Sequence, residues 1–229
     1  WSSDVCSSYL EDDYTADQFT TIKGGDNGQI NEKVESVAKF TNIKNEGGLV
    51  ISKRVISAVD GDHTDTYKIV VTLGDLSING EYGEAKGESK FTNGVATFNL
   101  KDGEIAVITG LPVGMTYTVT EPDVSNDVFA VAITGDTAEA IAAQTTREVE
   151  VLNTRKTTEL KISKAVTSPI KTDEDAIYGF TLMLKDANGK VLNGTYGGYD
   201  IENGNAKVWV KAGQTVTITV TPADGYRLK

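Results

Sequence analysis

The sequence predicts an all-β protein of tandem immunoglobulin-like β-sandwich domains, one complete and two truncated. Motifs recur at a fixed interval: Lys53 in LVISKRV and Lys164 in LKISKAV lie 111 residues apart, as do Asn42 and Asn153. A period of that length is one β-domain. Within one period, seven or eight short runs alternate apolar and polar residues, separated by turn signals, which is the pattern of an immunoglobulin-like sandwich. Composition agrees, with 39% hydrophobic residues, 7% aromatic, and 23 glycines against four prolines, which suits many tight turns.

Taken in order, residues 1–10 are set aside. WSSDVCSS resembles the translation of a sequencing-adaptor oligonucleotide, which would continue Asp-Leu where this chain has Tyr9-Leu10. The rival reading is a natural polar linker. Residues 11–45 read as the last two strands of a domain. Residues 46–156 form the complete copy, with strands expected at 48–55, 66–73, 95–100, 104–109, 115–121, 128–134 and 147–153 and a weaker one at 78–82. Asn79-Gly80, Asn93-Gly94, Asp102-Gly103 and Leu111-Pro112-Val113-Gly114 supply the turns. TAEAIAAQ at 137–144 reads as a helical turn in a loop. Residues 157–229 restart the pattern: NGEYG at 79–83 returns as NGTYG at 193–197, and Asn93-Gly94 as Asn203-Gly204.

Alternation also assigns faces, because successive strand side chains point to opposite sides. Leu49, Ile51, Lys53 and Val55 share one face, and Val149, Val151 and Asn153 another. Tyr117, Val119 and Glu121 share a third. The same parity groups Ala38, Phe40 and Asn42 in the first copy and Leu160, Ile162, Lys164 and Val166 in the third. Glu11 and Glu121 differ by 110 positions, each followed eight residues later by a Phe. A Lys, a Glu and an Asn therefore point inward among apolar neighbours in the middle copy. Burial disfavours both charged forms, so the pair moves toward neutral amine and neutral acid. A neutral amine is a nucleophile and a carboxamide carbon an electrophile; a protonated carboxyl can polarise the carbonyl and carry protons to departing ammonia. The rival reading is a buried Lys–Glu ion pair with Asn completing its hydrogen bonds. Residue pattern alone leaves both open.

Charge and composition exclude other chemistries. Lys+Arg 22 against Asp+Glu 33 gives a net charge of −11, which repels nucleic-acid phosphates. No apolar run approaches the roughly 20 residues needed to span a bilayer, so no membrane contact by this segment is expected. With Cys6 the one cysteine and His63 the one histidine, a disulfide framework is excluded within the chain, and zinc clusters and histidine triads are nearly excluded. No cofactor or metal is expected. Asp60-Gly61-Asp62-His63-Thr64-Asp65 lacks the spacing of a calcium loop and reads as solvated. Asn193-Gly194-Thr195 is formally a glycosylation sequon but reads as a hairpin turn. Trp209, in AKVWVKAG, is expected in the core.

The stretch VATFNLKDGEIAVITGLPVGMTYTVTE, preceded by LVISKRV and followed by VEVLNTRK, resembles the isopeptide-forming domains of Gram-positive surface proteins. The similarity is to the streptococcal backbone-pilin (T-antigen) isopeptide-linkage type, related to the B-type repeats of collagen adhesins. It covers the middle copy and both partial ones. The resemblance implies a bond between Lys53 and Asn153 assisted by Glu121, with Glu11 and Asn42 matching the acid and acceptor of the preceding domain and Lys164 the nucleophile of the following one. Leu152 stands where Thr is usual before the acceptor, Pro122 follows the acid, and TVTPADG replaces GLPxG in the third copy, which puts that copy's bond in doubt.

The resemblance further implies a structural stalk segment of a bacterial cell-surface adhesin or pilin, extracellular and attached to the cell wall, whose one reaction is self-crosslinking and not turnover catalysis. Neighbouring repeats, host matrix or sortase-linked pilin subunits are the implied partners. The alternative is a carbohydrate- or matrix-binding sandwich, which needs an exposed aromatic platform.

Overall fold

The computed structural model describes residues 18–25, 27–124, 128–135, 140–222 and 224–228. Residues 1–10 and Glu11 lie outside them. Apart from the five-residue helix α1 (Asp60–Thr64) and two 3-10 turns, the described elements are strands.

The middle copy comprises β3 (Glu46–Ile56), β4 (Tyr67–Leu73), β5 (Val95–Leu100), β6 (Ile105–Pro112), β7 (Tyr117–Thr120), β8 (Phe129–Thr134) and β9 (Thr146–Arg155). These match the seven expected strands to within a few residues at each end. The weak candidate at 78–82 makes only isolated bridges, Gly80 with Phe91 and Tyr82 with Ala85. Residues 140–144 of the expected helical turn are not helical, because Ile141 is drawn into the core at 1% exposure; residues 137–139 lie outside the described ones.

Two sheets face each other, β6-β3-β9-β8 and β5-β4-β7. Their inward residues, among them Leu49, Ile69, Val71, Phe98, Ile108 and Val151, form one buried cluster. Each such side chain contributes about 1.5–3 kcal/mol by leaving water. First and last strands, β3 and β9, pair in parallel at the centre of their sheet, with Lys53 opposite Val151 and Val55 opposite Asn153. Parallel neighbours need a long crossover, and here the whole remaining domain is that crossover. β3 enters at Gly47, where an added Cβ would lie 2.3 Å from the Ala142 carbonyl oxygen, so no larger residue fits.

The third copy repeats the first five strands: β10 (Thr158–Ser163), β11 (Ile177–Lys185), β14 (Asn205–Lys211), β15 (Thr215–Val220) and β16 (Gly225–Leu228). They pair as β10-β15 and β14-β11-β16, the order of their middle-copy counterparts, around a core including Leu182, Leu184, Val208 and Ile218. A small hairpin, β12 (Gly194–Tyr196) with β13 (Tyr199–Ile201), is added. The sequon residue Gly194 is therefore in a strand, not at the hairpin tip.

β1 (Phe19–Gly24) and β2 (Lys39–Lys44) form a two-stranded antiparallel ribbon. The expectation that Ala38, Phe40 and Asn42 turn inward fails here. Phe40 is 41% exposed and Asn42 is exposed, because no second sheet covers this ribbon among the described residues. Parity sorts side chains by face but cannot supply the layer that buries one.

Trp209 is likewise a correction, at 63% exposure. Ala206, Val208 and Val210 take the inner face of β14, so Trp209 takes the outer one. It sits opposite Gly179 on β11. Its ring occupies the space a Cβ there would fill, 2.7 Å from the ideal position.

Candidate functional site

β3, β7 and β9 each deliver one polar side chain to the same interior point. Lys53 is 1% exposed and Asn153 0%. Glu121 follows β7 directly, and its side chain is fully enclosed, as is that of Lys53. Apolar neighbours on each strand carry these groups inward: Ile51 and Val55, Val119, and Val151 are all buried.

One oxygen joins the three. Lys53 Nζ lies 3.4 Å from Glu121 Oε1, and Asn153 Nδ2 donates to that same Oε1 at 3.0 Å. Lys53 Nζ also donates to the backbone oxygens of Arg54 and Val151, each at 3.3 Å. The Tyr67 ring covers the amine, with its centroid 4.6 Å from Nζ. Within this triad two buried polar atoms, Glu121 Oε2 and Asn153 Oδ1, have no hydrogen-bond partner.

Burial pushes the Lys53 amine below the usual lysine range; the attraction of Glu121 opposes this without cancelling it. Burial raises the Glu121 carboxyl in turn, against the pull of Lys53 and the hydrogen bond from Asn153. Both shifts favour the neutral amine and the neutral acid.

The matching residues of the partial copies are placed differently. Lys164, just beyond β10, is half-buried with Nζ 4.5 Å from the Tyr178 ring centroid. Asn42 is on the exposed ribbon, where its Oδ1 accepts a hydrogen bond from Thr21 Oγ1 at 2.8 Å. Among the described residues, no group of three or more His, Cys, Asp or Glu side chains could hold a metal ion.

The segment read as a solvated acidic loop is instead ordered around α1. His63 Nδ1 lies 2.6 Å from Asp102 Oδ2, and His63 Nε2 is 3.2 Å from the Ser57 oxygen. Asp62 is 4% exposed and takes the Arg155 guanidinium in a two-pronged contact, Nε to Oδ2 at 2.5 Å and Nη2 to Oδ1 at 2.8 Å. Arg155, Asp62 and Tyr67 escaped the sequence reading. A signal existed: Ser57, Asp62 and Tyr67 recur as Ser168, Asp173 and Tyr178, each 111 residues on, the interval of the lysines.

Residues 47–155 match the model of a family described as a domain of unknown function (DUF7601). A 92-residue stretch is 37% identical to the pilus tip adhesin Cpa of Streptococcus pyogenes, covering 39% of this chain and 13% of that protein. Among solved structures, the major pilin T3.2 of Streptococcus pyogenes aligns at 22% identity over 55% of this chain and 51% of that one, with a TM-score of 0.37. A Mobiluncus mulieris adhesin containing intramolecular disulfide, isopeptide and ester bond cross-links aligns at 19% identity over 54% and 46%, with a TM-score of 0.36. This chain is thus homologous, over part of its length, to a pilus adhesin of a Gram-positive bacterium.

Proposed function

We propose, from that homology and from the interior triad, that the middle copy is a self-crosslinking segment of a surface stalk. Lys53 Nζ attacks Asn153 Cγ, and the Asn153 amine leaves as ammonia. Glu121 takes the third ammonium proton while the Arg54 and Val151 carbonyls hold the other two. The Asn153 amide, whose Nδ2 faces Glu121 Oε1, turns so that this proton polarises Oδ1. As the tetrahedral centre collapses, Glu121 relays a proton from Nζ to the departing nitrogen. One C–N bond forms and one breaks, and the proton that Glu121 first took from the ammonium leaves with the ammonia as ammonium, which returns the carboxylate. Fixed placement supplies effective molarities of about 10⁵–10⁸ M, which brings an otherwise sluggish amine–amide exchange within reach.

The observation that carries this reading is the pair of orphaned atoms, Asn153 Oδ1 and Glu121 Oε2. A purely structural polar network gains little stability and is expected to satisfy its members. A reaction centre instead needs an unclaimed carbonyl oxygen beside an acid that can protonate it.

The crosslink suits a load-bearing role. Tension entering at Glu46 runs along β3 to Lys53, crosses the amide to Asn153 and leaves at Arg155. Everything between those two residues is bypassed. Tandem copies joined by one or two residues, Asn45 before β3 and Lys156-Thr157 before β10, would then make a stiff shaft. The proposed setting is an extracellular adhesin or pilin attached to the cell wall, with neighbouring repeats as its immediate partners and no turnover chemistry.

Single-molecule pulling on the whole chain tests this reading. The account expects no extension step from the middle copy in wild type and a step of roughly a hundred residues' contour in Asn153→Ala. Such a step in wild type contradicts it. A second reading, carbohydrate or matrix binding, draws support from the exposed Trp209 ring; loss of glycan or matrix retention in Trp209→Ala would favour it.

A further inference from the structure

The amine of Lys53 is covered by a ring whose own position is fixed by residues outside the triad. The Tyr67 hydroxyl donates to the Asp62 backbone oxygen at 2.8 Å, and the ring meets Phe129 edge-on, with centroids 6.2 Å apart and planes at 87°. Asp62 is pinned from two sides. Its carboxylate accepts from Ser57 Oγ and from the Arg155 guanidinium at 2.5 and 2.8 Å. Arg155 lies on β9, two residues beyond Asn153, over the Phe129 ring at 5.2 Å. It also donates to Thr221 Oγ1 of the third copy at 3.3 Å. The same loop touches the third copy at further points: Val59 joins that copy's core cluster and bridges to Gly194, and Asp60 N donates to Asn193 O at 3.1 Å.

The third copy repeats the arrangement. Lys164 Nζ faces the Tyr178 ring, the Tyr178 hydroxyl donates to Asp173 O at 3.2 Å, and Ser168 Oγ donates to Asp173 Oδ2 at 2.5 Å. Two copies with different surface residues keep the ring, the backbone acceptor and the serine-to-aspartate bond together. In the ribbon, Lys44 takes the place of Arg155, over Phe19 at 4.6 Å.

We propose that Tyr67 is a positioning residue for the Lys53–Asn153 reaction, held over the amine by the Asp62 loop, which Arg155 latches to the acceptor strand and to the third copy. The ring excludes water from Nζ and blocks the outward swing of a long, flexible side chain, so the arm stays aimed at Glu121 and Asn153. Because the latch residue lies on the acceptor's own strand, the loop closes only when β9 is in register. The next copy, by bracing that loop, sets how fast its predecessor crosslinks.

This inference rests on the crosslinking reading, and one experiment separates them. The full 229-residue chain is refolded from denaturant, samples are quenched at intervals, and ammonia loss is followed by intact mass. The stability of each variant is measured separately in an Asn153→Ala background, where no bond can form. Tyr67→Leu is expected to slow ammonia loss about a hundredfold, the scale of an ångström's misplacement, and Tyr67→Phe, which keeps the ring, to recover most of that rate. Arg155→Ala and Thr221→Val are expected to slow it about tenfold and severalfold, more than any change in background stability accounts for. Wild-type rates in all four variants, or slowing only in proportion to lost stability, would overturn the positioning role while leaving the crosslink intact. A wild-type chain that keeps its ammonia would overturn both.

Discussion

Lys53 and Asn153 sit on adjacent parallel strands, offset by two residues and on one face: Lys53 pairs with Val151, and Asn153 with Val55. A short side chain at position 53 could not cross that offset to a group two residues farther along the neighbouring strand. Lysine can, by running along the strand axis, which brings Nζ to the Arg54 and Val151 oxygens and to Glu121. The offset explains why the nucleophile is the long residue and the acceptor the short one.

Crosslinking should have a flat-topped pH profile. The reactive tautomer, neutral amine with protonated acid, carries the same number of protons as the ion pair, so its share is constant while both groups together hold one shareable proton. Below the Glu121 pKa the amine is locked as ammonium; above that of Lys53 the acid has lost its proton. Since burial raises Glu121 and lowers Lys53, both limbs should lie closer to neutrality than those of an ordinary glutamate and lysine. Ammonia loss measured across pH checks this, and a rate rising steadily into alkali would contradict it.

Asn153→Ala keeps the Lys53–Glu121 pair but removes the bond. A covalent closure of about 100 residues is worth roughly 4.7 kcal/mol by chain entropy, so the melting temperature of the middle copy should fall by about 20 °C. Calorimetry of the two proteins gives the difference.

The His63–Asp102 contact should confer pH-dependent stability. Its hydrogen bond to Asp102 raises His63, so His63 stabilises fully below its unfolded pKa and less as pH rises through its folded one. The bond from His63 holds Asp102 down, so Asp102 stabilises above its unfolded pKa and less as pH falls through its folded one. The two overlap between about pH 4 and 6.5. Denaturant unfolding of His63→Gln should differ most from wild type in that window and converge with it in mild alkali; the gap should stay small, because the pair is partly exposed.

Gly194→Ala should part the middle and third copies. Gly194 has φ +134°, and an added Cβ would lie 1.8 Å from the Ala58 oxygen, so backbone must move. A cost of about 1–3 kcal/mol is expected, seen as faster amide exchange at Asp60 and in β12 while the middle copy's core strands keep their protection.

Much of this was legible in the residues. Period-2 alternation located Lys53, Glu121 and Asn153 on inward faces because both sheets of the middle copy are present to cover them. The same rule failed for Asn42, where no second sheet covers the ribbon among the described residues, whereas for Trp209 it was the register that went unread, since counting from Ala206, Val208 and Val210 puts the ring outside. Asp62 and Arg155 lay hidden for another reason. A buried ion pair between a loop and a strand 93 positions away has no local pattern, and only the recurrence of Ser57, Asp62 and Tyr67 one period later hints at it.

The most direct measurement is the mass of the folded middle copy within the intact chain, compared with the mass its sequence requires. The account predicts a deficit of one ammonia in wild type, restored to full mass by Lys53→Ala or Glu121→Ala, with the β3 and β9 peptides joined after digestion. A folded wild-type protein of full calculated mass would contradict it.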